Sequence, residues 1–431
     1  MHSFHYENGS LHCEGVDLQS LAADYGTPLY VYSATTIRDH FRRLDSALGE
    51  LDHMICYAVK ANSNLAVLDL LRREGSGFDI VSGGELFRVG KAGGDAGKST
   101  FAGVGKTRSE IEQALRAGIY SINVESEAEL EFINEVAASI QIKAPVALRV
   151  NPNVDAGTHK YISTGKSENK FGIDFERIRG AYDRAAKEFP NVILRGLQMH
   201  IGSQLTSIDP FIEAVEKVSP LVEELKAAHG IEFFSIGGGI GIVYENSLDS
   251  GSPAWWEAKP DKPLTIEEYA EALVPRLKPL GLRILVEPGR FMVGNAGVLM
   301  TQVLYEKRGS AKTFKVVDSG MNDLIRPALY EGHHDIVPIK QPASDTLEKV
   351  DIVGPICESG DFFAQNRALP PLDEGDYIAL MSAGAYGFTM ASNYNSRPFP
   401  AEILIDGDTP HVIRKRQVMD DLIAGEQLLP G

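Results

Sequence analysis

Apolar runs and amphipathic stretches alternate along most of this chain. Strand-like apolar runs occur at Met54–Val59, Phe78–Val81, Thr100–Val104, Ser121–Val124, Val146–Val150, Gly196–His200, Phe233–Ile236 and Ile284–Val286. Their length and composition predict strands. Helical periodicity fills the gaps, at Leu65–Arg73, Gly84–Ala92, Ser109–Ala117, Glu127–Ala137, Glu176–Glu188, Phe211–Ala228 and Ile266–Leu280. Strand and helix alternating through eight strands predict an α/β fold, a TIM-like (β/α)8 barrel. A doubly wound open sheet is the alternative, and the count of eight favours the barrel. From about residue 291 the texture changes: Val298–Tyr305, Phe314–Val317, Val350–Val353, Tyr377–Met381 and Ala401–Ile405 are short and strand-like, and helical sequence returns only at Arg416–Ala424. The start of the chain reads as a hairpin turning at Glu7-Asn8-Gly9, a helix Asp17–Tyr25, a strand Leu29–Tyr32 and a helix Thr35–Leu48. The predicted organisation is a barrel over 34–290 and a mainly β domain, sandwich or barrel-like, over 1–33 and 291–431. The N-terminal segment is expected to complete the β domain.

A barrel places its active site at the C-terminal ends of its strands. The polar residues found there are Lys60, Asp79, Asn151 after Arg149, His200, the run Gly237-Gly238-Gly239, and Glu287. Their convergence on one end says more than any one of them. Lys60 closes an apolar run from His53 to Val59. A lysine there often snorkels to solvent, but a desolvated amine is also a nucleophile toward aldehydes. The glycine run can make a tight turn or cradle a phosphate with its amides. Glu287, followed by Pro288-Gly289-Arg290, can bind a metal, pair with Arg290, or hold a proton on a heterocycle nitrogen. His200 can be structural or stack on an aromatic cofactor. Cys357, between polar residues and glycine, reads as an exposed thiol able to donate a proton.

Composition narrows the field. The chain has 431 residues, 43% of them hydrophobic, and a net charge of −17. That charge argues against a nucleic-acid partner. Three cysteines do not make a disulfide framework and fit a reducing, cytoplasmic setting. The first ten residues lack the basic and apolar regions of a signal peptide, and no apolar stretch nears the roughly 20 residues of a membrane helix. Gly97-Lys98-Ser99 and Gly105-Lys106-Thr107 end like P-loops, but the glycine required five residues earlier is Ala92 in one and Thr100 in the other. Adjacent His333-His334 has no supporting ligand spacing, so no metal is assigned.

The segments YAVKAN (57–62), FDIVSGGE (78–85), HIGSQ (200–204), GGGIG (237–241), EPGR (287–290), RPALY (326–330), GPICESGD (354–361) and GAYG (384–387) together resemble the diaminopimelate decarboxylases. These are fold-type III, alanine-racemase-like enzymes that use pyridoxal 5′-phosphate. The resemblance runs in order over nearly the whole chain. The lysine, HIGS, GGG and EPGR motifs are shared with ornithine and arginine decarboxylases. RPALY, CESGD and ENKFGI (168–173) are more particular to the diaminopimelate branch.

The resemblance implies that Lys60 carries the cofactor covalently, that His200 stacks on its ring, and that Ser203, Gly238 and Gly239 hold its phosphate. Glu287 would bind the ring nitrogen, with Gly289 beside it, and Tyr386 would touch cofactor and substrate. Arg290, Arg326, Tyr330 and Glu358 would bind the far end of meso-diaminopimelate. Cys357 would donate a proton in the partner subunit's site, which implies a homodimer. Asp79 and Arg149 would be supporting residues. The expected products are L-lysine and carbon dioxide. Arginines suit the free carboxylate of that substrate and would repel ornithine's ammonium. The alternatives are a decarboxylase of a polyamine precursor (carboxynorspermidine, ornithine or arginine type), a racemase on the same scaffold, and a relative that only binds. Residues 245–262, with Trp255 and Trp256, look longer than the usual connection and suit a lid, an interface anchor or a surface excursion.

Overall fold

A computed structural model of the protein describes residues 2–154, 170–258 and 263–430. The chain divides into two compact units. One comprises Arg38–Ile242 and Lys262–Met292; the other comprises Met1–Ile37, Val243–Asp261 and Val293–Gly431.

The first unit is the barrel. Its strands are His53–Ala58, Gly77–Ile80, Ser99–Phe101, Ser121–Val124, Ala144–Asn151, Val192–Gln198, Phe233–Ser235 and Arg283–Val286. All pair in parallel in that order, and Arg283–Val286 returns to His53–Ala58, which closes the ring. The side chains of Cys56, Tyr120, Ala147, Phe233 and Leu285 pack together as a buried cluster in this unit. Gly196 leaves room for it: a Cβ there would lie 2.5 Å from the Phe233 ring. The helices begin where side chains can cap them. Thr107 and Glu110 make a reciprocal capping box, and Ser82, Ser126 and Thr265 accept amide hydrogens at other helix starts. Predicted and observed elements agree in type and order, with ends shifted by a few residues. Val192–Gln198 starts earlier than the predicted Gly196, and its first residues, Val192 to Arg195, are part-buried or exposed.

The second unit is mainly β. Its larger sheet runs Phe362–Leu369, Glu348–Val353, Thr313–Val317, Gly297–Arg308, Leu29–Ser33, Ala401–Asp406, Thr409–Arg414, with Tyr377–Leu380 and Ile336–Pro338 on a branch. Leu29–Ser33 lies inside this sheet, antiparallel to Gly297–Arg308 and parallel to Ala401–Asp406. The hairpin Phe4–Glu7 and Ser10–Cys13 turns on Asn8 (φ 50°) and Gly9 (φ 83°), the positive-φ pair of a tight hairpin turn. Phe4, Leu11 and Cys13 from the hairpin share a core with Leu29, Val31, Val298, Met300 and Ile403. The N-terminal segment therefore completes the β unit.

Two places differ from the sequence reading. Only Met419–Leu422 is helical where Arg416–Ala424 was expected. Arg416 donates to the carbonyls of Tyr25, Gly26 and Pro28, and the amide of Gln417 donates to Phe399, so both are committed elsewhere. Val418, Met419 and Ile423 are exposed, so the stretch has no face to bury. The second difference is the 245–262 stretch, placed within the barrel domain by sequence. Its described part groups with the β unit, as a turn Asp249–Gly251 and a helix Pro253–Ala258. There the Trp256 indole donates to the Ser250 carbonyl at 2.8 Å. Residues 259–262 of that stretch, and 168–169 of the ENKFGI motif, lie outside the described residues.

Candidate active site

The buried strand His53–Ala58 runs into a single 3-10 turn, Val59–Ala61, that carries Lys60. Ala58 is in register with Asp79 on the neighbouring strand. The Lys60 ammonium donates to Asp79 Oδ2 at 2.7 Å; the lysine side chain is 41% exposed and the aspartate 1%. The lysine side chain is thus part-exposed while its paired carboxylate is buried.

Glu287 directly follows the strand Arg283–Val286 and is buried. Its carboxylate accepts from Ser235 Oγ at 2.7 Å, Gln198 Nε2 at 2.9 Å and Asn123 Nδ2 at 3.4 Å. Burial pushes its pKa up to about 7, helped by the charge of Asp79 and opposed by Ser235, Lys60 and Gln198. A carboxyl so placed shares a proton readily with a basic ring nitrogen. Asn123 Oδ1 and Gln198 Oε1 beside it are buried with no hydrogen-bond partner among the described residues. The sequence reading passed over Asn123, Gln198 and Ser235. Their signal was a polar residue inside an otherwise apolar barrel strand.

His200 follows the strand Val192–Gln198. Its Nδ1 accepts the Gly238 amide hydrogen at 3.2 Å, so the ring proton sits on Nε2. Burial, with Arg149 and Lys60 nearby, holds its pKa well below the usual value and keeps the ring neutral. Arg149 donates to Glu125 at 2.9 Å and lies 4.9 Å from the Phe171 ring. Glu125 also accepts the Gly172 amide at 2.9 Å.

The glycine run is shaped by close approach. Gly239 has φ +109°, and a Cβ on it would lie 2.5 Å from the Gly202 carbonyl; one on Gly238 would lie 2.2 Å from the Glu287 carbonyl. The Glu287 amide donates to Gly237 at 2.8 Å, which ties this loop to the end of the last strand. Gln204, whose role sequence left unassigned, holds Ile242 from both sides, donating to its carbonyl at 2.7 Å and accepting its amide at 3.1 Å. Arg290 Nη2 donates to Ser203 Oγ at 3.2 Å. Gly289 separates Glu287 from Arg290, and the Met292 amide donates to its carbonyl at 3.1 Å. Within the barrel unit, then, the expected residues fall into linked groups: Lys60 with Asp79, His200 with Gly238, Ser203 with Arg290, and Glu287 against the glycine run.

The Gly105-Lys106-Thr107 segment holds a buried lysine donating to Gly103, Asn123 and Glu129, with Thr107 capping a helix. Those contacts are structural.

In the β unit, Cys357 is exposed on the loop after Glu348–Val353, and its amide donates to Asn395 Oδ1 at 3.2 Å. The Tyr394 hydroxyl donates to the Glu358 carboxylate. Asp361 anchors the loop by accepting the amides of Ile356 and Met321, each at 2.6 Å. Arg326 and Tyr330 open and close the short helix Arg326–Tyr330. Tyr386 sits in the left-handed region at φ 57°. His333 pairs with Asp335 at 2.9 Å, while His334 turns to Met381 and Arg326.

Residues 34–294 match the family described as "Pyridoxal-dependent decarboxylase, pyridoxal binding domain". That makes the barrel, with its strand-end lysine and buried carboxylate, the cofactor unit of a pyridoxal-dependent decarboxylase. The chain is 48% identical to the diaminopimelate decarboxylase of Vibrio cholerae, covering 100% of both. It is also 48% identical to that of Pseudomonas aeruginosa, again covering 100% of both. The structure of the Helicobacter pylori diaminopimelate decarboxylase complexed with L-lysine superposes with a TM-score of 0.88 at 42% identity, covering 95% of this chain and 98% of that one. The M. jannaschii enzyme, in co-complex with L-lysine, gives 0.90 at 37%, covering 99% and 98%. The chain belongs to the diaminopimelate decarboxylase family.

The residues present fit pyridoxal 5′-phosphate. A glycine loop that a Cβ would block, a partly exposed amine, and a buried carboxylate among orphaned amide oxygens match its phosphate, aldehyde and ring nitrogen.

Proposed function

We propose that the protein releases carbon dioxide from the D-centre of meso-2,6-diaminopimelate to give L-lysine, the last step of lysine biosynthesis. The observation that carries the reading is Glu287: a buried carboxylate held by neutral donors and poised to keep a proton on a ring nitrogen. When bound, pyridoxal 5′-phosphate supplies a sink for the electron pair left on Cα. Lys60, paired with Asp79, would hold the cofactor by its aldehyde. Neutral His200 would lie against the cofactor, Ser203, Gly238 and Gly239 would take its phosphate, and Gly289 and Arg290 would help to hold it. Arg290, Arg326, Tyr330, Glu358 and Tyr386 hold the unreacted amino-acid end. As the bond to the carboxylate breaks, its electron pair stays on Cα and carbon dioxide leaves. The Cys357 thiol then gives its proton to Cα and is reprotonated from solvent.

Exposed Cys357 and Glu358 share one loop. We assign that loop to the site of a partner subunit, so a homodimer is the active unit. Among the described residues no helix is long and apolar enough to cross a membrane. Free Cys13, Cys56 and Cys357 support a cytoplasmic setting.

The deciding experiment is carbon dioxide release from meso-, LL- and DD-diaminopimelate, with and without added cofactor. Cofactor-dependent turnover of the meso isomer is expected. Turnover of ornithine with none of meso-diaminopimelate would overturn the reading.

A further inference from the structure

The geometry points to His334 and Tyr244 as positioning residues that set the Arg326 guanidinium for the free carboxylate of the substrate. The inference rests on the substrate-binding reading of Arg326 given above.

The chain turns back on itself just after Tyr330. Glu331 takes φ 52°, and the Gly332 amide donates to the Arg326 carbonyl at 3.2 Å. This turn delivers His334, whose side chain is fully buried, to the arginine. His334 Nδ1 lies 2.7 Å from the Met381 carbonyl oxygen. A carbonyl can only accept, so Nδ1 carries the proton. His334 Nε2 lies 2.6 Å from Arg326 Nη1. A guanidinium can only donate, so Nε2 is the bare acceptor. The two contacts select one neutral tautomer.

Tyr244 holds the same guanidinium by its face. Arg326 Cζ is 4.3 Å from the Tyr244 ring centroid, and the Tyr244 and His334 rings meet edge to face, at 5.3 Å and 84°. Cation–π attraction fixes the plane of the fork, and the imidazole fixes its rotation within that plane. An arginine oriented before the ligand arrives loses less freedom on gripping a carboxylate in two-pronged fashion. The adjacent histidines, set aside as metal ligands, thus divide: His333 pairs with Asp335, and His334 serves the arginine.

The test compares wild type with Arg326→Gln, His334→Asn, His334→Gln and Tyr244→Leu. It measures kcat and KM for meso-diaminopimelate, inhibition constants for L-lysine and 1,5-diaminopentane, and thermal unfolding. Lysine carries a carboxylate for Arg326; the diamine carries none. Arg326→Gln and His334→Asn should raise KM and the lysine constant about tenfold or more, with kcat and the diamine constant nearly unchanged. His334→Gln should recover most of the loss, because its amide oxygen can take the place of Nε2. Should His334→Asn fail to fold, Tyr244→Leu carries the test, with the same pattern expected. If Arg326→Gln weakens lysine while His334→Asn and Tyr244→Leu do not, the positioning role is wrong. Equal weakening of lysine and diamine would also overturn it. If Arg326→Gln itself has no effect, the underlying reading of Arg326 fails first.

Discussion

Lys60 and Asp79 form an ion pair of unequal partners: they lie 2.7 Å apart, and the lysine side chain is part-exposed while the aspartate is buried. Removing one partner is therefore not equivalent to removing the other. Lys60→Ala strands a buried charge, whereas Asp79→Asn leaves an amine that water can reach. In denaturant unfolding of the cofactor-free protein, Lys60→Ala should cost about 2 kcal/mol more than Asp79→Asn. Lys60→Ala should also abolish the visible absorbance of bound cofactor and all decarboxylation. Equal losses of stability would contradict the asymmetry.

The raised pKa of Glu287 makes a statement about pH. Its folded value is about 7, against 4.5 for the free group. Below 4.5 both states hold the proton, so the carboxyl is neutral in each. Between 4.5 and about 7 the unfolded chain ionises while the folded one keeps its proton, and stability falls as pH rises. Glu287→Gln removes this contribution. The melting temperature of the cofactor-free variant should therefore gain on wild type from pH 5 to pH 8, then run level. A constant gap would mean that the carboxyl is not held as the geometry indicates.

Gly239 combines φ +109° with a neighbour 2.5 Å from any Cβ. Gly239→Ala must strain the backbone and push against the Gly202 carbonyl. Destabilisation of about 1–3 kcal/mol is expected, with weaker cofactor binding in an absorbance titration. Gly180, with nothing within 4 Å of its Cβ position, is the control. Gly180→Ala, at an exposed position of the helix Ile178–Glu188, should leave cofactor binding at its wild-type value and raise stability by about 0.5–1 kcal/mol.

Cys357→Ala should lower kcat about 10²–10⁴-fold while leaving cofactor absorbance intact. Mixing Cys357→Ala with Lys60→Ala subunits tests the shared site. A heterodimer formed by exchange holds one site with both functional groups, so activity should return. No recovery after exchange verified by mass spectrometry would place each thiol in its own subunit's site.

The barrel was legible because its strands are apolar and mostly buried and its helices carry apolar stripes, and those periods survive in a single sequence. The site lysine and the terminal carboxylate were legible for a related reason: a charged residue at the end of an apolar strand stands out. The helix expected at Arg416–Ala424 shows the limit. Its periodicity was real, but Arg416 and Gln417 found partners among Tyr25, Gly26, Pro28 and Phe399, which local sequence does not register.

By itself, the sequence determined the order and type of the elements, the polar residues at the strand ends, and the family resemblance. Only the tertiary structure decided what surrounds them. Asn123, Gln198 and Ser235 lie on three separate strands, and closure of the ring is what brings them to Glu287. The proton of His200 sits on Nε2 because Gly238, far along the chain, donates to Nδ1. His334 reaches Arg326 because the backbone reverses at Glu331. Periodicity is a property of neighbours along the chain, whereas a proton's location and a carboxylate's affinity depend on neighbours in space, and those exist only once the chain has folded.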